Sequence, residues 1–514
     1  SFEWQRNVYA ARLNNRDTAL VNARPEVQIG SAYRQLDLLQ KVAYRPNAYT
    51  THTLNLQYST SSDVPRYDRL SETGANGRPS FAEWYYGPQK RLFATYSWQN
   101  TRKTTFYDDA RVIFSYQNIE ESRYSRRFGN NNLTARIESL AIYGLNADLL
   151  KKTGEKTALN YGAEWYFNDV RSVAHRENIL TGQRSYATTR YPDGGSTMNL
   201  AGAYGRLKWQ ATNRLLLIPA VRFSYVGLQA STNDPLFRSF FTNVRQSNVA
   251  VNGQLGGVLN LANNWRITSA VSTGFRAPNV DDLGKTFESA GGNNLTVPNP
   301  SLRPEHTVTA EIGLEKRFGG FLRFETNVFY TWMRNAIRLV PATFNGRDTV
   351  VFDDQRTRVF RNDNIAQARV YGFFAGAEAV MNRYVTASAT FTYTVGRDIT
   401  QAVPLDHIPP AYGRFGIRAN NADQRFGGEF FVLFNGWKRL RDYSPSGEDN
   451  LQYAIPTEGM PAWYTLNVRG SYRVNRFLQL QVAAENLADA HYRVFSSGIS
   501  GAGRNFVIAL RGSF

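Results

Sequence analysis

Basic and aromatic side chains are concentrated between residues 437 and 453, and their chemistry suits an anion. Lys438, Arg439, Arg441 and Tyr443 fall within one short stretch that begins beside Trp437. An Arg guanidinium offers a planar fork to carboxylate or catecholate oxygens, and aromatic rings stack on flat ring systems. The segment therefore predicts contacts with an anionic, partly aromatic solute. An ordinary polar loop with interfacial aromatics is the alternative interpretation.

The sequence gives little support for a catalytic site or a metal-binding site. Asp406 and His407 are neighbours in sequence, but adjacency does not set the geometry of a catalytic triad, and no Gly-x-Ser-x-Gly elbow precedes a helix. Asp442, Glu448 and Asp449 lack the dense spacing of a calcium loop. The chain has no Cys, which removes disulfides and thiolate metal sites. We predict no enzyme activity, no metal site and no intrinsic cofactor.

Arg276 is a further candidate for ligand contact, because it ends a predicted strand just before a long loop. Pro278 blocks continued ladder pairing, and Pro298, Pro300 and Pro304 stiffen the return of the chain. The loop is interpreted either as a structural anchor or as a ligand-contacting tip.

Two of the five His, His175 and His407, fall in predicted loops. A ligand role is open for both, and a solvated side chain is the alternative.

Strands must position these loops, and the last ten residues give the clearest sign of them. Phe506, Ile508, Leu510 and Phe514 share one face, whereas Arg511 lies on the other. A strand has a side-chain period of two, so this segment has one apolar face and one mixed face. An aromatic final residue on such a strand is typical of outer-membrane β-barrels, whose spanning strands need about 9–11 residues.

Similar alternation recurs along the chain, most clearly at 385–395, and short and long connections alternate between the apolar stretches. This rhythm predicts an all-β, antiparallel transmembrane barrel with turns at one end and long loops at the other. Short turns are predicted at 210–213, 262–264, 317–320, 382–383, 420–424 and 475–476. Long loops are predicted at 61–87, 118–131, 171–195, 229–247, 275–305, 336–365, 398–410, 438–462 and 488–504.

Composition agrees with a barrel. The 514 residues are 42% hydrophobic, and they include 29 Tyr, 32 Phe and 9 Trp, which barrels need for interfacial girdles. No apolar run of about 18 residues is present, so no helical span is expected. The net charge is +18, but the basic residues are not clustered as in a nucleic-acid-binding helix or repeat. Arg on the polar strand faces either attracts anionic solutes into the lumen or pairs with acids across the wall.

The strand count predicts an incomplete wall. Counting back from the C-terminus gives about nineteen strands in 31–514, the first near 31–43. The order of up and down strands makes 1–30 an external loop or a remnant, unless 2–12 hides a strand. Three more strands would give 22, the size class whose lumen is plugged. We therefore expect an open seam between the first strand and 505–514, or another polypeptide that fills it, with the N-terminal plug and first strands absent from the chain.

Several sequence motifs are characteristic of one family. They are Phe275-Arg276-Ala277-Pro278, Pro298-Asn299-Pro300-Ser301-Leu302-Arg303-Pro304-Glu305, Glu485-Asn486-Leu487-Ala488-Asp489 followed by Tyr492-Arg493, and Gly503-Arg504-Asn505-Phe506 leading to Phe514. In these motifs the chain resembles the TonB-dependent outer-membrane receptor family, and the resemblance covers nearly all of 31–514. Residues 279–285 and 463–467 further resemble Bacteroidetes haem or iron-complex receptors.

The resemblance implies active uptake of a scarce solute, haem or a ferric siderophore, across a Gram-negative outer membrane. The energy would come from TonB acting through the plug. Outer-membrane lipid, the barrel assembly machinery and a surface lipoprotein are further implied partners, and nucleic acid is not. Two alternatives stay open: a structural or assembly partner in a larger complex, and a passive porin.

Overall fold

The computed structural model describes residues 8–286, 294–352, 355–446 and 449–513. Predictions that fall wholly or partly outside these ranges concern residues 1–7 of the N-terminal segment, the terminal Phe514, the acidic Glu448, and the middle of the loop that follows Arg276.

The main sheet is an antiparallel barrel wall of nineteen long strands within the described residues, and the all-β prediction is confirmed. Strands that follow one another along the wall pair antiparallel, as in the hairpin of Thr157–Asn178 with Ser196–Gln210. The wall strands are Gln35–Tyr44, Thr50–Ser61, Lys90–Asn100, Asp109–Arg127, Asn132–Lys152, Thr157–Asn178, Ser196–Gln210, Leu215–Ser231, Asn243–Asn260, Trp265–Arg276, Glu305–Phe318, Leu322–Pro341, Gln355–Val380, Val385–Asp398, Tyr412–Asn420, Phe426–Asn435, Trp463–Arg473, Leu478–Glu485 and Asn505–Gly512.

Alternation along each strand separates an apolar outer face from a polar inner face. Val221, Phe223 and Val251 are all exposed, as expected for side chains that face lipid. Arg222 lies between the first two in sequence and points the other way, where its guanidinium pairs with Glu164. The period of two in the sequence thus sets which residues line the interior.

The short and long connections lie at opposite ends of the barrel, as predicted. Short turns such as Ala262–Asn264 and 381–384 lie at one end, called here the short-turn end. Connections such as 277–304 and 436–462 lie at the other, called the long-loop end.

Several predicted loops are wrong in extent because strands continue into them. Asp109–Arg127 and Asn132–Lys152 form one hairpin through most of the predicted loop 118–131. Thr157–Asn178 includes His175, which the sequence placed in a loop. The ladder continues beyond the part of the strand that needs an apolar face. Polar residues then occupy both faces, and the period-two signal disappears from the sequence.

Residues 8–21 form a hairpin that is separate from the barrel sheet. Its strand Val8–Leu13 falls partly within the stretch where a hidden strand was considered. Asp17 ties the hairpin to the barrel by accepting hydrogen bonds from the Arg126 guanidinium at 2.8 and 3.0 Å and from the Gly129 amide at 2.8 Å. Farther along, the Gln28 side chain bonds the backbone of Ser500. The N-terminal segment therefore lies at the long-loop end.

The first and last wall strands meet in a junction unlike the others. In the strand order of the sheet, Asn505–Gly512 is the neighbour of Gln35–Tyr44. This order describes a closed wall and not the predicted open seam. Residue pairs join each wall strand to the next along the chain, but none is described between these two. All ten residues of Gln35–Tyr44 are exposed, as expected for an edge. The number of missing strands stays a prediction.

The long connections fold inward and pack against the inner wall. Val280, Leu283 and Leu302 from the 277–304 connection form a buried cluster with Met198 and Leu228 of the wall. No helix among the described residues is long and apolar enough to cross a membrane. The short strands are Val8–Leu13, Arg16–Val21, Val64–Pro65, Phe81–Tyr86, Arg184–Tyr186, Asn294–Val297, Thr349–Phe352, Val403–Pro404, Lys438–Arg439 and Gly459–Met460, and the helical turns are Tyr67–Leu70, Pro235–Arg238, Ala262–Asn264, Val280–Gly284, Leu440–Asp442 and Leu451–Tyr453.

Candidate functional site

Arg276 lies at the end of its strand and bridges two carboxylates. Its guanidinium pairs with Glu305 and, at 2.7 Å, with Asp282. Asp282 in turn belongs to a capping box with Asn279, in which each side chain accepts a hydrogen bond from the other residue's amide at 2.9 Å. The arrangement anchors the base of the 277–304 connection. Among the described residues, Arg276 makes these contacts and none with the other predicted site residues.

Lys438 is almost fully buried, at 4% exposure, at the start of the 436–462 connection. Its ammonium donates to the Ile408 carbonyl at 2.6 Å and lies 4.7 Å from the centre of the Phe495 ring. Both partners are far away in sequence, in the 399–411 and 486–504 connections. Lys438 therefore joins three loops, which is a different position from the exposed rim cation that the sequence suggested.

Tyr443 is also buried, at 6% exposure, and it packs edge-on against Phe495 with ring centres 5.7 Å apart. Lys438 and Tyr443 thus share Phe495 as a common neighbour. Within the described residues, the Tyr443 hydroxyl and the Asp449 Oδ2 have no hydrogen-bond partner. Burial raises the pKa of the Tyr443 hydroxyl to about 12, so this group stays neutral.

Asp449 brings a second charge into the same buried region. Its carboxylate is fully buried and accepts a hydrogen bond from the His407 amide at 2.8 Å, while the His407 ring is exposed. Burial raises the pKa of the Asp449 carboxyl and lowers the pKa of the Lys438 ammonium. The cost of removing both charges from water therefore exceeds their mutual attraction.

Arg439 and Arg441 remain at the surface of the same connection. The Arg439 guanidinium lies 4.3 Å from the centre of the Trp437 ring, so it is held over an aromatic face. Arg441 is exposed within the helical turn Leu440–Asp442. These two residues form the exposed cationic rim of the loop, whereas Lys438 and Tyr443 form its buried base.

Sequence reasoning missed the residues that hold this loop in place. Arg338 is buried and donates to Asp398 at 2.9 Å and to the Ser444 hydroxyl at 3.1 Å. Gly459 pairs with Arg439 at a φ of +93°, and a Cβ there would lie 2.1 Å from the Lys438 carbonyl oxygen. For Gly459 the available signal was the residue type itself, because Gly is the usual residue where a positive φ or a close backbone approach is needed. The partnership of Arg338 with a loop about a hundred positions away leaves no mark in the sequence.

The comparison with known proteins follows this geometry. The family model described as TonB dependent receptor-like, beta-barrel matches residues 35–487. A Haemophilus influenzae protein named probable hemoglobin and hemoglobin-haptoglobin-binding protein 4 is 29% identical over 198 residues, covering 37% of this chain and 19% of its own length. The iron-regulated outer membrane virulence protein of Vibrio cholerae is 23% identical over 261 residues, covering 49% of this chain and 38% of its own.

A solved structure of similar fold is the copper transporter OprC. It aligns with a TM-score of 0.76 at 16% identity, covering 94% of this chain and 72% of that one. This chain spans well under two thirds of the length of the curated relatives that it matches. The family model covers most of the chain, and the wall, the turns and the long loops agree with it. The chain belongs to the TonB-dependent receptor family and contains its β-barrel domain.

Proposed function

We propose that this chain is the barrel of an outer-membrane receptor that takes up haem or a ferric siderophore, with energy supplied by TonB. Membership of the receptor family supports the transport class. The names of the relatives support iron, since one is called hemoglobin-binding and another iron-regulated. Catalysis is not part of the proposal, and the transported ligand is cargo rather than a resident cofactor.

The observation that carries the ligand class is the exposed rim of the 436–462 connection. Arg439 holds its guanidinium over the Trp437 ring, and Arg441 presents a second exposed guanidinium in the same connection. Haem propionates and catecholate or carboxylate siderophores offer the oxygens that such groups bind, together with flat rings that can lie against Trp. A passive porin is a weaker alternative, because the 277–304 connection is packed into the long-loop end around a buried core.

The finer assignments are part of the same proposal. A plug segment would receive TonB, and the barrel assembly machinery and a surface lipoprotein would be further partners. A Bacteroidetes source rests on the likeness in 279–285 and 463–467.

The experiment separates the exposed rim from the buried base. Arg439→Gln with Arg441→Gln should slow the capture of haem or a ferric siderophore by about three- to tenfold at low salt, and less at high salt, because rim charges act on association rate. Lys438→Gln should instead change the capture rate equally at both salt concentrations, because it loosens the loop and removes no charge from the rim. Stopped-flow binding at two ionic strengths gives both results.

The matched control changes the same charge at the short-turn end. Arg383 lies 4.6 Å from the Tyr384 ring and imitates the stacked Arg439, and Arg102 is an exposed turn residue like Arg441. Arg102→Gln with Arg383→Gln should leave capture unchanged. If the rim variant and this control capture the ligand equally at both salt concentrations, the rim is not the site and the loop is an ordinary polar loop.

A further inference from the structure

The outer face of the barrel carries an aromatic belt on the side formed by 305–318, 322–341 and 355–380. Cross-strand pairing places Ala310, Tyr330 and Tyr371 side by side, and Trp332 follows Tyr330 on the same face. Tyr330 lies 5.6 Å from Tyr371 and 4.4 Å from Trp332, measured between ring centres. Trp332 is 49% exposed. Tyr and Trp in such a band are typical of the boundary between hydrocarbon and headgroups.

Three arginines follow this belt directly toward the long-loop end. Trp332 pairs with Arg369, and Arg369 pairs with Arg397 on the next strand. One row farther along the same face, Arg334 pairs with Gln367. Arg334, Arg369 and Arg397 are called here the arginine triplet. Because side chains alternate between faces, all three leave the wall on the side of Trp332 and not toward the interior.

The triplet is poorly neutralised by the protein itself. Arg334 has no ion pair or side-chain hydrogen bond in the part of the chain that the structure describes. Among the described residues, the Arg369 side chain hydrogen-bonds only to the Tyr330 hydroxyl, at 3.5 Å, and Arg397 lies 4.0 Å from Asp442. Arg369 and Arg397 oppose each other directly, an arrangement with Cβ atoms about 4.5–5.5 Å apart that destabilises a sheet when the charges are alike.

Interior arginines of the same barrel are treated differently. Glu429 accepts from Arg414 at 2.6 Å and also pairs with Arg469. The fold therefore supplies carboxylates where arginines meet inside the barrel. Within the described residues the outward triplet has one ion pair, between Arg397 and Asp442 at 4.0 Å, so an anion from the surroundings would relieve the repulsion between its members.

We propose that the arginine triplet binds the phosphate of a membrane lipid headgroup. The guanidinium forks of Arg369 and Arg397 can share one phosphate, and Arg334 can reach it from the next row. The lipid tails then lie along the aromatic belt and the apolar face below it. A lipid is favoured over soluble phosphate because the triplet adjoins the lipid-facing surface, where a headgroup is already held at this depth.

Native mass spectrometry of the purified protein in detergent tests the proposal, with dimyristoyl phosphatidic acid as the probe. Dimyristoylglycerol has the same tails without the phosphate and serves as the lipid control. The parent should retain phosphatidic acid and not dimyristoylglycerol. Arg334→Gln, Arg369→Gln and Arg397→Gln together should weaken that retention by about tenfold or more. Inorganic phosphate at equal concentration should not displace the lipid.

A variant of equal charge change controls for net charge: Arg78→Gln, Arg102→Gln and Arg347→Gln remove three exposed arginines that lie in connections outside the wall strands. This variant should retain phosphatidic acid like the parent. If the triplet variant does not fold, Arg334→Gln alone decides, since this side chain has no described contact to lose. Equal retention by the parent and by the triplet variant, or by the parent and Arg334→Gln, overturns the proposal. Displacement by inorganic phosphate overturns the lipid as the source.

Discussion

Burial divides the predicted binding residues at the scale of single side chains. The sequence shows the basic and aromatic residue types, but it does not show that Lys438 and Tyr443 are buried. Lys438 bonds to the Ile408 carbonyl and Tyr443 packs against Phe495, and both partners come from other loops. Side-chain type can be read from a sequence, whereas the distant partner that buries it cannot. Arg439 and Arg441 keep the exposure that anion capture needs.

Arg276 provides a prediction at this scale. Arg276→Gln would leave the mostly buried carboxylates of Asp282 and Glu305 without their shared cation, at a cost of about 1–3 kcal/mol to the local structure. We expect faster amide exchange in residues 294–302, measured by hydrogen exchange and mass spectrometry. Arg303→Gln is the control, because Arg303 is exposed and contributes backbone hydrogen bonds here. Unchanged exchange in the Arg276 variant would remove the anchoring role.

Asp17 provides a pH-dependent prediction. Burial raises the pKa of its carboxyl, but hydrogen bonds from Arg126 and Gly129 and the charges of Arg126 and Arg12 outweigh this, and the net pKa lies below the ordinary 3.8. A lowered folded-state pKa means that the stabilisation is fully present above pH 3.8 and is lost as pH falls below it.

The hairpin 8–21 should therefore stay docked at mildly acidic pH and be released in stronger acid. Protease cleavage within 8–21, followed against pH, measures this release. Asp17→Asn should be cleaved more readily than the parent at neutral pH. Equal cleavage of the two proteins at neutral pH would contradict the role of the ion pair.

Strand length is the main lesson at the scale of elements. Apolar alternation predicts the short turns well, because a turn interrupts the pattern sharply. It does not predict where Thr157–Asn178 or Asn132–Lys152 ends at the long-loop end. Beyond the lipid, hydrogen-bonded ladders hold the strands together without an apolar face, so the period-two signal is lost while the strand continues.

The two-stranded base of the 436–462 connection gives a prediction for this scale. Gly459→Ala would place a Cβ 2.1 Å from the Lys438 carbonyl oxygen at a φ of +93°, which should open the pairing of Lys438–Arg439 with Gly459–Met460. We expect a loss of about 1–3 kcal/mol in local stability and faster proteolysis within 440–458. Gly346→Ala is the control: its φ is +75°, but no atom lies within 4 Å of the added Cβ. If both variants are cleaved alike, close packing at Gly459 does not hold the loop.

At the scale of the whole molecule, the sequence predicts a barrel of about nineteen strands, and the wall has that number among the described residues. The prediction succeeds because the lipid imposes one simple rule on every strand. The arrangement of loops inside the long-loop end is governed by many contacts between distant segments, such as Leu302 against Met198, and no local rule predicts it.

The central claim is TonB-energised uptake of an iron complex. The direct measurement is growth of an iron-starved host that lacks its own haem and siderophore receptors and expresses the gene for this protein. With haem or a ferric siderophore as the only iron source, the account predicts growth that disappears when TonB is deleted. Growth that is unaffected by the loss of TonB, or no growth on any of these sources with the protein present in the outer membrane, would contradict it.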